Sequence, residues 1–279
     1  MSMIEIIPEL CIQCGYCIES CPSNLFYMDQ DIVRVEFEEY CILCGHCLAI
    51  CPEDAIRHEK LDYTEFQEIP TPFRVNPQDL YTLFRTRRAI RNFKEKTISR
   101  ELIEQLISEA RYAPTSSNLQ NVEYLILKNQ AITPFVTNVR NFYAKVLEIF
   151  KSSQSDDPTT LRRIRKWEYW LTETEKGRDA LFYDPPVIIV VFAPKNDSMA
   201  PLNVGFAVAY LMLAAHANGL GTVNIGYAVE AIRRNPKIAE ELGIIMDKYG
   251  VLAVLSMGYP KYEYSKIPLR NLPSITWSG

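Results

Sequence analysis

The chain has 279 residues, 48% hydrophobic and 23% charged, with a formal net charge of −4. That length allows one large domain or two unequal ones around a sizeable core, and the composition is that of a globular protein rather than a disordered or fibrous one. The charge is unevenly spread, with 11 Asp/Glu against 3 Lys/Arg in residues 1–60 and 23 against 27 in the rest, so the basic stripes of a nucleic-acid-binding protein are missing.

The N-terminus, MSMIEIIPEL, has no basic region followed by an apolar stretch, so no signal peptide is expected. Residues 206–217, the longest apolar segment, are fewer than the roughly 20 that cross a bilayer. We therefore expect a cytoplasmic protein with neither nucleic acid nor membrane as partner.

All eight cysteines fall between positions 11 and 51. A disulfide framework belongs to secreted chains, so clustered cysteines here point to metal. Cys11, Cys14, Cys17 and Cys21-Pro22 are repeated 30 residues later as Cys41, Cys44, Cys47 and Cys51-Pro52, with Gly15 and Gly45 after the second cysteine of each run. Zinc sites usually pair two C-x2-C knuckles across a longer loop. Three evenly spaced cysteines followed by a fourth before proline match instead the bacterial iron–sulfur run, whose fourth cysteine serves the other cluster. These 60 residues resemble bacterial two-cluster ferredoxins. The resemblance implies one 4Fe–4S cluster on Cys11, Cys14, Cys17 and Cys51, and a second on Cys41, Cys44, Cys47 and Cys21. His46 is either a tuning group for the second cluster or a surface histidine. Ile32–Val35 reads as a short hairpin strand.

Residues 61–79, with Pro70, Pro72 and Pro77, read as a linker. Ser99 caps an expected helix through Arg111, with Leu102, Ile103, Leu106, Ile107 and Ala110 on one face. Strands are expected at Val122–Lys128, Val187–Ala193, Thr222–Ile225 and Val251–Gly258. The segment Leu202–Ala217 is apolar on nearly every face and predicts a central buried helix ending at Asn218-Gly219. Asn235-Pro236 to Gly243 frames another short helix. Within 131–185, the stretch RRIRKWEYWLTETEKGRDALF reads as a helix: a lid, a partner-facing element or an ordinary amphipathic surface helix. The intermixed elements leave α+β and α/β open for a domain of about 200 residues.

Four stretches of this domain carry candidate chemistry. Arg85, Arg87, Arg88 and Arg91 crowd before Phe93, and arginine forks suit phosphate, although such a run is also a common solvated face. Ala113-Pro114-Thr115-Ser116-Ser117-Asn118-Leu119-Gln120 presents short polar donors, or simply caps the next strand. Gly219-Leu220-Gly221-Thr222 leads into Val223-Asn224-Ile225-Gly226, where glycine permits close approach of backbone N–H groups to a flat ligand. Met257-Gly258-Tyr259-Pro260 precedes Arg270 in the tail. In this order, residues 80–279 resemble the nitroreductase family of FMN enzymes.

The resemblance implies an α+β fold with a central mixed sheet flanked by helices, and a homodimer with FMN at the subunit interface. Arg87, Arg91 and Arg270 would hold the phosphate, with Arg88 and Ala89 contributing mainly backbone. Pro114, Thr115, Ser116, Asn118 and Gln120 would lie along the ring and ribityl chain, and Gly221, Ile225 and Gly226 would bring backbone to the flavin. Ala89 stands where the family often has serine, and Asn121-Val122 where Pro-Trp commonly follows the glutamine.

Together these expectations describe an FMN-dependent oxidoreductase, domains 1–60 and 80–279 joined by the linker. It would draw single electrons through two 4Fe–4S clusters from an external low-potential donor and reduce a nitro compound or another small electron-poor substrate. The alternatives are a flavin and iron–sulfur carrier serving a protein partner, and another flavin reduction on the same fold. No nucleophile or acid–base pair stands out, and His216 reads as a core residue.

Overall fold

A computed structural model describes residues 2–152 and 156–279. The chain divides into two compact units, 1–74 with 116–119, and 75–115 with 120–279.

The first unit is two copies of one small design. Its elements are β1 (Ile4–Ile6), α1 (Tyr16–Ser20), β2 (Phe26–Asp29), β3 (Ile32–Val35), α2 (His46–Ile50) and β4 (Ile56–His58). β2 and β3 form the expected antiparallel hairpin, and β1 pairs antiparallel with β4, Ile4 facing His58. The 30-residue repeat extends to the backbone. Gln13 and Leu43, Gly15 and Gly45, and Asn24 and Asp54 all take positive φ at matching positions. At Gly15 and Gly45 that conformation turns the cysteine loop into the short helix, a turn that side chains resist. The core is small, chiefly Ile4, Leu25, Phe26, Val33, Leu48 and Ile56, joined by Cys47 and with Cys11, Cys17, Cys21, Cys41 and Cys51 packed against it. Each such side chain stabilises by roughly 1.5–3 kcal/mol, and a core of this size generally needs covalent or metal staples to stand alone.

The second unit begins with α3 (Pro77–Thr86), whose start takes in the last residues of the expected linker. The Asn76 side chain caps it, accepting from Gln78 N at 2.9 Å. Then follow α4 (Arg100–Ala110), β5 (Glu123–Lys128), α5 (Ile132–Ser152), α6 (Pro158–Glu175), β6 (Val187–Pro194), α7 (Ala200–Ala217), β7 (Gly221–Asn224), α8 (Gly226–Arg234), α9 (Lys237–Glu240) and β8 (Tyr249–Gly258). The sheet order is β5-β6-β8-β7 with every named pair antiparallel, and a parallel bridge from Ala89 to Thr222 makes its edge mixed.

β6 shows why the order is stable. Ile188 and Val190 enter the core under α5 and α8, while Val187, Ile189 and Val191 enter the core under α4 and α7, as a strand's two-residue period requires. All five are fully buried. Ser99 caps α4, accepting from Leu102 N at 3.2 Å, as the sequence indicates.

α7 departs from expectation. It is long and apolar enough by composition to cross a membrane, and it packs one face into the core without being buried on all sides. Asn203, Val204, Ala207, Val208, Leu211 and Ala215 face the interior, whereas Leu202, Phe206 and Tyr210 lie outward and exposed. A uniform apolar composition hides which face the sheet takes. α3, α5 and α8 were not anticipated. In α5 the apolar positions Phe135, Val136, Val139, Tyr143 and Leu147 follow a helical period, and Pro134 falls in the first turn, where its missing N–H is tolerated.

Candidate redox centre and ligand pocket

The repeat brings the eight thiols into two sets. Cys11, Cys14, Cys17 and Cys51 line one small cavity, and Cys21, Cys41, Cys44 and Cys47 line another. Each set takes three cysteines from one run and the fourth from the other. Among the described residues no three His, Cys, Asp or Glu converge as a single ion would need. Four thiols spread around a space suit instead a cubane with iron at its corners. Burial pushes the Cys17 thiol up to about 11 and the Cys47 thiol up to about 12. Thiols so placed give up their protons to bound metal, not to neutral water.

His46, considered for tuning, lines the second cavity but is exposed. His58 is buried instead, its Nε2 at 3.5 Å from Cys41 Sγ. In the other set, Ala55 N donates to Cys51 Sγ at 3.2 Å. Ser117, Asn118 and Gln120 have positive φ in the polar loop. The Asn118 amide nitrogen donates to the carbonyls of Ile42 (3.1 Å) and Leu43 (2.9 Å), beside the second cysteine run.

The second unit holds a cavity of about 460 Å³, within the range of cofactor and ligand pockets. Its wall is aromatic. Tyr143, Trp167, Trp170 and Tyr227 come from α5, α6 and α8, with ring centroids 4.7 Å apart for Trp170 and Tyr227 and 5.6 Å for Tyr143 and Trp167. Such contacts hold rings rigidly. The Tyr143 hydroxyl donates to Tyr227 O at 2.8 Å, and burial raises its pKa.

The rim is basic: Arg91, Arg163, Lys166 and Arg234 against Glu230. Glu230 is already engaged by Arg233 (2.6 Å) and Arg234 (2.5 Å), which hold its carboxyl below the usual range. Lys166 Nζ lies 4.5 Å from the Tyr227 ring centroid. Asn224, Ile225 and Gly226, where β7 passes into α8, also line the cavity. The indole Nε1 of Trp167 is buried in this wall with no partner among the described residues. An unpaired buried donor costs about 1–3 kcal/mol, so its presence in a cavity wall fits an acceptor on a bound molecule.

The arginine run is built onto the sheet. Ile90 N donates to Thr222 O at 3.0 Å, and Phe93 bridges Pro260, so the arginine and Gly-Tyr-Pro motifs adjoin through backbone pairing. Arg91 faces the cavity, its Cζ 5.9 Å from the ring of Tyr183, itself at φ 72°. Arg88 gives one nitrogen to Lys266 O at 2.6 Å and stacks 4.0 Å over Tyr264, leaving a buried Nε unpaired among the described residues. Burial, and after it the nearby Arg87, depresses the pKa of His216. Arg270 is exposed, bonded to its neighbour's carbonyl at 3.1 Å.

The glycines also have roles within the fold. Gly219 ends α7 at φ 72° in a Schellman turn, Leu220 N to Ala215 O at 2.9 Å. At Gly221 a side chain would collide with Ile90. Thr115 and Gln120 line a separate cavity with Ala113 and Ala207, and Pro114 is exposed beside it. Of the expected flavin set, Arg91, Ile225 and Gly226 line the same cavity. The aromatic wall was missed because residues 131–185 carry no motif; the spacing of Trp167 and Trp170 on one helical face was the available signal.

Interlocked thiol quartets of this kind define an iron–sulfur protein, here extended by a larger α+β domain. Residues 84–259, well over half of the chain, match the nitroreductase family, and the chain belongs to it. Residues 3–52 match a 4Fe–4S dicluster domain. The chain is thus an oxidoreductase. An iodotyrosine deiodinase of Thermotoga neapolitana is 25% identical over 191 residues, covering 68% of this chain and 92% of that one. A nitrobenzene nitroreductase of Ectopseudomonas oleovorans is 25% identical over 196 residues, 63% and 85% of the two chains. Among solved structures, a nitroreductase with bound FMN from Desulfitobacterium hafniense aligns over 71% of this chain and 97% of its own, TM-score 0.53 at 21% identity. A BluB-like flavoprotein from Clostridium difficile aligns over 69% and 94%, TM-score 0.55 at 19% identity.

Proposed function

We propose that this chain is an FMN-dependent oxidoreductase that draws single electrons through two 4Fe–4S clusters and reduces a small electron-poor substrate, a nitro compound being the leading candidate. The observation that carries the reading is that one chain pairs two four-thiol cavities with a ligand-sized, basic-rimmed aromatic cavity. Two cysteine sets would each hold a cluster, which supplies one-electron transfer at low potential. FMN, when bound, accepts electrons singly and delivers them in pairs, the exchange that joins clusters to a two-electron substrate.

The chain's own residues bind, orient and exclude water. Arg91 and the unpaired Nε of Arg88, with Arg87 and Arg270, supply charge for a phosphate. Ala89 keeps that segment on the sheet edge through its bridge to Thr222. The backbone of Ile225 and Gly226 approaches a flat ring, and the aromatic wall keeps the cavity dry. Pro114, Thr115, Ser116, Asn118 and Gln120 act from the polar loop. Asn118 does so through its carbonyl oxygen, since its nitrogen is committed to Ile42 and Leu43.

We infer a homodimer in which both chains touch each flavin. The expected contacts fall on separate cavities of one copy, and exposed Leu202, Phe206 and Tyr210 on α7, with Leu269, Leu272 and Trp277 in the tail, await a covering surface. The acidic head fits a donor protein with a basic face, and the protein would work in the cytoplasm.

The test is anaerobic reconstitution of the native chain and of Cys14→Ser and Cys44→Ser. The reading expects both variants to slow reduction of bound FMN by a low-potential donor. Equal rates would refute the relay. A panel of nitro compounds and other acceptors offered to the reduced protein identifies the substrate, and steady turnover separates an enzyme from a carrier.

A further inference from the structure

The two halves of the cysteine repeat differ where His58 stands. Thirty residues before His58 stands Met28, the equivalent residue of the other half, exposed and without an N–H to offer. His58 closes β4, is 7% exposed, and brings Nε2 to 3.5 Å from Cys41 Sγ. Its other ring nitrogen settles the direction of that contact. Lys60 N donates to His58 Nδ1 at 3.1 Å. A nitrogen accepting a backbone N–H carries no hydrogen of its own, so in the neutral imidazole the hydrogen sits on Nε2. The contact to sulfur is therefore N–H···S, the imidazole donating.

We propose that His58 is a positioning residue that donates a hydrogen bond to Cys41 and so raises the reduction potential of the cluster held by Cys21, Cys41, Cys44 and Cys47. The inference rests on the cluster assignment above. Adding an electron makes a cluster and its thiolates more negative, and a fixed N–H dipole stabilises the reduced form more than the oxidised one. In the other set, the donor to Cys51 is the backbone N–H of Ala55, which only a proline substitution would remove. The two clusters are thus inequivalent, and one is adjustable through a single side chain. A hydrogen bond to a charged group shifts an equilibrium by about tenfold or more, which is about 59 mV for a one-electron couple.

The test is a redox titration of the full, cluster-loaded chain followed by electron paramagnetic resonance, comparing native protein with His58→Met, His58→Gln and His46→Gln. His58→Met makes the halves alike, and one of two midpoints is expected to fall while the other holds. His58→Gln keeps an N–H near the place of Nε2 and should recover much of the shift. His46→Gln should move neither midpoint. Unchanged midpoints in a His58→Met protein with full iron content overturn the proposal. Should that variant fail to load iron, native protein labelled with 15N-histidine decides the matter. Pulsed resonance of the reduced clusters must show a coupled nitrogen that persists in His46→Gln, and its absence rejects the hydrogen bond.

Discussion

Gly221 and Ile90 are in closer apposition than any side chain on Gly221 would allow. A Cβ there would stand 2.4 Å from Ile90 Cγ1 and 2.6 Å from its Cβ. The arginine segment lies against the first residue of β7, held by Ile90 N to Thr222 O. The glycine in Gly-Leu-Gly-Thr serves this contact. Gly221→Ala should cost about 1–3 kcal/mol by overpacking and displace Arg87, Arg88 and Arg91 together. The expected result is a folded domain by circular dichroism with a reduced FMN-to-protein ratio. Adding Ile90→Gly, which removes the Cβ as well, should restore part of the binding, a coupling that a double-mutant cycle measures.

Trp167 offers a second test. Its buried Nε1 has no partner among the described residues. Trp167→Phe preserves an aromatic ring while removing that donor. Thermal unfolding of the ligand-free protein should change little, because the lost ring area is offset by relief of the unpaired group. Flavin affinity, followed by fluorescence quenching, should fall by about tenfold if the donor reaches the ligand.

Leu202, Phe206 and Tyr210 recur every four residues along the outer face of α7. A charge at the middle of that row should prevent a second copy from covering it. Phe206→Glu is expected to sediment as a monomer and to lose bound FMN, with the four-stranded sheet intact by spectroscopy. A dimer of undiminished strength would place the interface elsewhere.

His216 predicts a pH effect. Thr86 Oγ1 lies 2.9 Å from its Nε2, and burial first, then Arg87, holds its pKa below 6.5. The unfolded chain then takes up a proton at higher pH than the native one. The contribution to stability is full above about pH 6.5 and lost as pH falls through that value toward the folded pKa. Melting temperatures should drop between about pH 7.5 and about pH 5.5 by more in native protein than in His216→Gln.

Much of this molecule is written locally. Cysteine spacing with a following proline specifies a cluster loop because ligands must sit at set intervals on a short turn. The strand at Val187–Ala193 and the capped helix after Ser99 are legible because periodicity and capping act over a few residues. What tertiary structure alone decided are relations between distant segments. His58 and Cys41 meet because β4 folds back beside β1; Gly221 is needed because Ile90 arrives from 131 residues earlier. The outward row of α7 and the aromatic wall were equally hidden. An apolar side chain reads the same whether it enters a core, lines a cavity or meets a partner, and only packing distinguishes these fates.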